Sequence, residues 1–290
     1  MSGMTTAHES TGDRSIDTTK ASIARVYNCF LGGKDNYEVD REVYRDIVEV
    51  APEAAALAVE CRRLLARQVR YLATSAPVGA GVDQFIDLGC GLPNEENTHE
   101  VAQRINPDAT VVYVDLDPVV SAYGRALLAD NDRTHLLQAD LRFPHHVLDL
   151  PEITAHIDFT RPIGLLQICT LHHLEDADDP RAIMQGYVDA LPAGSYVALT
   201  HFYDPADGSD LCELAVEIER RFRSSSMGTS RFRTRPEIES YFSGLDILPA
   251  SQATDAPAVG LVRDWWPDGP HQTEPEGMDH LMLCGLGRKP

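Results

Sequence analysis

The stretch QFIDLGCG (84–91) decides the fold: an apolar, β-rich run that ends in Asp87-Leu-Gly89-Cys-Gly91. A run this hydrophobic suits a strand buried on both faces, as in a parallel sheet. Glycines directly after a strand let the backbone approach a ligand closely, because no Cβ intervenes. In open α/β sheets ligands bind at the carboxyl ends of the strands, near the point where the strand order reverses.

Working outward, four similar runs follow: VVYVD (111–115), THLLQ (134–138), IGLLQI (163–168) and SYVALT (195–200). Helix-length stretches separate them at 97–105, 118–129 and 179–191. Strands at this interval are what βαβ units produce, so the sheet is expected to be parallel. The last runs, LDIL (245–248), AVGLV (258–262) and HLMLCGL (280–286), have no helices between them and predict an antiparallel finish. Upstream, residues 17–75 read as helical. Ala21, Ile23, Ala24, Val26, Tyr27 and Phe30 recur at helical spacing until Gly32-Gly33 breaks it. Helices over 37–50 and 53–73 follow, the latter with an apolar stripe of Leu57, Leu64, Leu65, Val69 and Leu72. The expected organisation is a polar tail (1–16), a helical cap (17–80) and a Rossmann-like α/β domain (81–290) with a mostly parallel seven-stranded sheet.

Two further acids share the edge that Gly89 and Gly91 mark. The second run ends at Asp115, 26 residues on (115 − 89), and the third leads into Ala139-Asp140-Leu141, another 25 residues on (140 − 115). A carboxylate at the second strand end, beside Leu116, can accept from both hydroxyls of a ribose. Asp140, next to the Leu141 amide, can read the amino group and ring nitrogen of adenine. Either acid alone could equally be a strand-end or helix-capping residue. The third glycine of a dinucleotide fingerprint is replaced by Asn94, which disfavours an NAD-dependent oxidoreductase. The D-x-G-x-G pattern resembles motif I of class I methyltransferases, a resemblance that implies S-adenosylmethionine (SAM) as ligand and S-adenosylhomocysteine (SAH) as product. Asn97 and Glu100 match an N-cap with an acid at N3, so a helix starts near 97. The loop before it either covers the methionine end of the cofactor or is structural only.

Composition narrows the partners. With 25 Lys and Arg against 45 Asp and Glu, the net charge is −20, which repels phosphate backbones and anionic membrane surfaces. Nucleic acid and membrane are therefore excluded as expected partners. None of the six cysteines forms a CxxC pair, consistent with small buried side chains in a reducing cytosol. MSGMTTAHESTGDRS (1–15) lacks the basic and apolar regions of a signal peptide, and no apolar run approaches the ~20 residues of a membrane span. A cytoplasmic location is the expectation; oligomeric state is not encoded legibly.

At this point a resemblance emerges. SIARVYNCFLGGKDNYEVDRE (22–42), FIDLGCGLPNEENTHEVAQ (85–103), VVYVDLDPVV (111–120), QADLRFP (138–144) and the final GLGRKP resemble a bacterial S-adenosyl methyltransferase family long catalogued as a domain of unknown function. The resemblance runs from about residue 20 to 290, and its most distinctive part is the ARxY…LGGKDN block. It implies a class I methyltransferase fold with a helical cap, SAM as ligand, and Gly89, Gly91, Asp115 and Asp140 as cofactor residues. The chain departs from the family pattern at Cys90, Asp117 and His173, the last making the substrate end more polar. The resemblance supplies no substrate.

Methyl transfer mainly needs alignment of the nucleophile and exclusion of water. A base is required only when the acceptor must lose a proton. Cys169-Thr-Leu-His172-His173-Leu-Glu175 follows the fourth run, at the same sheet edge. His172 or His173 is the candidate base, and Cys169 a candidate cofactor contact; packing and solvation are the plain alternatives. In Leu31-Gly32-Gly33-Lys34-Asp35-Asn36 a P-loop fails for lack of GxxxxGK[ST]. Arg25 or Lys34 could instead meet the methionine carboxylate. Glu175, Asp176, Asp178 and Asp179 suggest a solvated helix start, with magnesium the minority reading, and His145-His146 an exposed loop pair. No metal site is expected. Trp265, Trp266, Tyr241 and Phe242 either line a substrate wall or pack in the core. The expected activity is SAM-dependent methyl transfer to a small-molecule acceptor; the alternative is a non-catalytic SAM or SAH sensor or subunit.

Overall fold

The computed structural model describes residues 16–94, 96–127, 131–250, 257–265 and 276–290; most of the expected tail, the end of the 118–129 helix and Trp266 lie outside them. Three helices precede the sheet: α1 (Ile23–Phe30), α2 (Glu38–Val50) and α3 (Ala54–Ala73). Then β1 (Gln84–Leu88), α4 (Thr98–Ile105), β2 (Thr110–Asp115), α5 (Pro118–Leu127) and β3 (Thr134–Gln138) alternate. Short helices α6 (Pro144–Leu148) and α7 (Pro151–Thr154) lead to β4 (Gly164–Gln167), α8 (Pro180–Ala190) and β5 (Tyr196–Phe202). The chain ends with α9 (Asp210–Ser224), α10 (Arg235–Ser240), β6 (Asp246–Ile247), β7 (Gly260–Leu261) and β8 (Met282–Arg288).

The sheet runs β3-β2-β1-β4-β5-β8-β6. The first five strands are parallel, with Ile86 beside Val112 and Leu165 beside Val197. β8 enters antiparallel against all of β5, from Tyr196↔Arg288 to Phe202↔Met282. The two-residue strands β6 and β7 share the other edge of β8, at Gly287–Arg288 and Leu283–Cys284. Eight short strands thus fill seven positions, mostly parallel with an antiparallel end. β1 and β4 are buried along their whole length, as parallel strands between helical layers must be.

α3 lies on one face of the sheet: Leu64, Leu65, Val69 and Leu72 share a buried cluster with Phe85, Val111, Leu166 and Ala198. Val26, Phe30, Val43 and Ile47 of α1 and α2 belong to that same cluster, with Ile218 and Phe222 of α9. The opposite face packs on α8 and α10 through Met184, Tyr187, Val188, Tyr241 and Phe242. Tyr241, Phe242 and Trp265 are therefore core residues, 3%, 2% and 2% exposed, and form no substrate wall. His145 and His146 are exposed but stand on α6 rather than in a loop. Among the described residues no helix is long and apolar enough to cross a membrane.

Candidate active site

The strand order reverses between β1 and β4, and a cavity of about 590 Å³ opens there at the carboxyl edge. Its floor is the turn after β1. Gly89 and Gly91 hold φ of +73° and +68°, a region that disfavours side chains. A Cβ on Gly89 would meet Thr170 Cγ2 at 2.3 Å, whereas one on Gly91 would project into open space. The turn is pinned by Gly89 N–H donating to Val114 O at 2.7 Å.

Asp115 and Leu116 at the end of β2, and Asp140 and Leu141 after β3, line the same cavity, as does Cys169 after β4. The Asp115 carboxylate accepts from Gly91 N–H (2.8 Å) and Asp117 N–H (2.9 Å), one on each oxygen, leaving lone pairs for a ligand. Burial raises its pKa to about 6 despite these bonds. Asp140 is gripped by Arg142, whose NH2 lies 2.6 Å from Oδ2 and Nε 3.0 Å from Oδ1. Cys169 has a left-handed φ of +58°, and its N–H donates to Thr200 Oγ1 at 2.8 Å. A non-glycine residue held there is strained, which is common beside ligand sites.

Other expected residues sit elsewhere. Asp87 faces an adjoining cavity of about 320 Å³ behind the glycine turn, where Oδ2 accepts from Thr98 Oγ1 at 2.7 Å. Arg25 is 3% exposed and does not line the large cavity. Its Nε is 2.8 Å from Asp40 Oδ2, and its NH2 donates to Lys20 O at 2.5 Å. Lys34 is exposed and lines neither cavity. The LGGKDN turn closes on Asn28, whose Oδ1 accepts from Asn36 Nδ2 at 2.8 Å and Asp35 N–H at 3.1 Å. Asp35 accepts from Tyr123 Oη of α5, so the turn fastens the N-terminal helices to the α/β unit. Ser22 Oγ donates to Asp117 at the end of β2 and fastens α1 there as well.

The acidic run after β4 is ion-paired while still facing solvent, with Asp176 and Asp179 exposed. Glu175 bridges Arg223 (2.8 Å) and Arg231 (2.6 Å), Asp176 meets Arg233 (2.8 Å), and Asp178 meets Arg142 (3.3 Å). Asp179 does start α8, accepting from Ala182 N–H at 3.1 Å. These pairs hold the His172-His173 segment against the residues after α9. His172 is 2% exposed and stacks on Phe202, with ring centroids 4.0 Å apart. Its Nδ1 is buried without a partner. His173 lines the large cavity, with Nδ1 3.2 Å from Thr229 Oγ1. Burial lowers the pKa of both, that of His173 to about 4, so both rings are neutral at pH 7.

Sequence reading missed Arg62. It projects from α3 to the wall shared by the two cavities, near Cys90 and Gly91. Its NH2 makes a 3.4 Å contact to Glu96 O, and its Nε is buried without a partner. Nothing in its helical neighbourhood marks it.

A parallel 3-2-1-4-5 sheet with an antiparallel end strand, glycines after the first strand and acids after the next two defines a Rossmann-like methyltransferase. The chain belongs to the S-adenosyl methyltransferase family, whose model matches residues 9–290. It is similar to a methyltransferase candidate from Thermobifida fusca YX, at 38% identity over 94% of this chain and 96% of that one, with TM-score 0.84. A DUF574 family protein from Streptomyces avermitilis MA-4680 is 32% identical over 94% and 99% of the two chains, with TM-score 0.83. No functionally curated protein matches. The protein is accordingly a SAM-dependent methyltransferase with SAM as cofactor.

Proposed function

We propose that this methyltransferase acts on a small-molecule acceptor in the cytoplasm, with the large cavity as its SAM site. The observation that carries the assignment is the convergence of Gly91, Asp115 and Asp140 on that one cavity at the strand reversal. The open cradle at Gly91 and the orphaned Arg62 Nε both fit the group. Bound there, SAM supplies an electrophilic methyl on a sulfonium. Asp115 holds the ribose hydroxyls, Asp140 and the Leu141 amide read adenine, and Arg62 takes the methionine carboxylate. The walls given by α1 and by the Cys169–Glu175 segment exclude water from the transfer.

Calorimetry with SAM and SAH tests this. Both should bind well below millimolar concentration. Asp115→Ala should weaken SAH by about 1.5–3 kcal/mol, the worth of hydrogen bonds to a charged group. No binding at millimolar ligand would sink the site assignment. Binding without turnover across a metabolite screen would favour the sensor reading.

A further inference from the structure

A second cavity opens off the SAM site, between α1, α3 and the sheet. Ile23, Tyr27, Cys169, His173 and Met227 line both. From that junction the cleft runs under α1 and α3, and none of the sixteen described residues lining it is Asp, Glu, Lys or Arg. About 50 Å³ of it is open. That is room for a few heavy atoms, since a water-sized probe needs roughly 10–15 Å³. Three of its walls are Met227, Met278 and Met282, whose unbranched thioethers repack readily. His172 is among its lining residues, and its buried Nδ1 has no partner, which costs free energy until something meets it.

Resting on the SAM site proposed above, we infer that this cleft binds the methyl acceptor, an uncharged aromatic molecule carrying a phenol-type hydroxyl, with His173 as the proton acceptor. The lining decides the class. A carboxylate or ammonium would be desolvated there with no counter-ion, at a cost far above that of an apolar ring. An amine, protonated in water near neutral pH, is disfavoured on the same ground. The nucleophile must therefore enter neutral and lose its proton on reacting. A neutral imidazole can accept it from a phenol, whose pKa is about 10, far more readily than from an alkanol. In the tautomer whose Nδ1–H donates to Thr229 Oγ1, His173 offers an unprotonated Nε2. The phenol proton passes to Nε2 while the oxygen lone pair forms the new C–O bond. The C–S bonding pair stays on sulfur, giving the methyl ether, SAH and an imidazolium that returns its proton to water.

The test uses the full-length protein with 4-ethylphenol as probe. Calorimetry on the SAH-saturated protein should show it binding at least tenfold more tightly than 4-ethylbenzoate or 4-ethylbenzylamine. In spectra of methyl-labelled methionine it should shift Met227, Met278 and Met282 and leave Met184, buried on the far face, unmoved. With SAM present 4-ethylanisole should form. His173→Gln should slow that by about 100-fold or more, with SAH and phenol affinities within threefold of the parent. Charged analogues binding equally well, methionine shifts elsewhere, no ether from a protein that binds both ligands, or a His173→Gln variant at parental rate would each overturn the inference. Failure of SAH itself to bind would instead remove the cofactor assignment beneath it.

Discussion

Arg62 brings a guanidinium without a salt bridge among the described residues to the wall shared by the two cavities. Its Nε has no partner and its NH2 only a long one, so the guanidinium is poised for an anion. The methionine carboxylate of SAM is the proposed anion, and the claim separates cleanly from a structural role. Arg62→Met keeps the apolar stem and should weaken SAH about tenfold or more, corresponding to roughly 1.5–3 kcal/mol. Methylthioadenosine, which lacks the amino-acid end, should bind parent and variant alike. Equal losses for both ligands by calorimetry would assign Arg62 to the fold. Asp115 and Asp140 were legible in sequence because strand ends recur at a fixed interval along the chain. Arg62 was not, because its role depends on how α3 crosses the sheet, and local sequence does not encode a crossing. The same limit misdirected Arg25 and Lys34, the basic residues of the distinctive block, one of which is sealed against Asp40.

The N-terminal helices are held to the sheet by a few polar clasps. Asp40 is 0% exposed and accepts from Arg25 Nε (2.8 Å), Ser22 N–H (3.0 Å) and Tyr37 N–H (2.8 Å), while Ser22 also reaches Asp117. Removing the carboxylate strands a buried guanidinium, which costs about 3–5 kcal/mol when no new partner is found. Asp40→Ala should therefore lower the unfolding free energy by that amount and weaken SAH, because α1 forms part of the cavity wall. Unchanged stability by urea titration would show that Arg25 is solvated. Regular elements were largely readable. β1 and β3 fall on the expected residues, and the Asn97–Glu100 box places α4, with Asn97 N–H to Glu100 Oε2 at 2.7 Å. α9 was not read: only Ala215, Ile218 and Phe222 of its fifteen residues are buried, so its apolar stripe is faint beneath its charges. Its Arg223, with Arg231 and Arg233 beyond it, pairs with Glu175 and Asp176 of the acidic run after β4. Those pairs span 48 to 57 residues, so the local sequence shows the acids but not their partners.

At the scale of the whole molecule, the histidines beneath the site couple folding to pH. His172 and His201 are buried and His173 half-buried, all neutral; desolvation lowers His173 to about 4 and His201 to about 3, and His172 well below its ordinary value. Arg233 faces His201, its NH1 3.0 Å from Nε2, while His201 Nδ1 donates to Phe202 O at 2.7 Å, which fixes the neutral tautomer. Above pH 6.5 these rings are neutral folded or unfolded and contribute no pH dependence. Between pH 6.5 and about 4 the unfolded chain takes up protons that the folded chain refuses, so stability falls as pH falls. Asp115 acts in the opposite sense, since its folded pKa of about 6 lets the native state gain a proton first. Asp87, also raised by burial, sides with Asp115, while His99 and His135, lowered by burial, side with the three rings, so the histidines outweigh the acids. At a limit of about 1.4 kcal/mol per group per pH unit, moving from pH 7.5 to 5.0 should cost on the order of 4 kcal/mol. Urea titrations at the two pH values should show the midpoint drop with an unchanged slope, and His201→Gln should shrink the difference. A midpoint that holds or rises on acidification would mean that these rings are hydrated in solution, and that the cleft bordered by His172 and His173 is not dry.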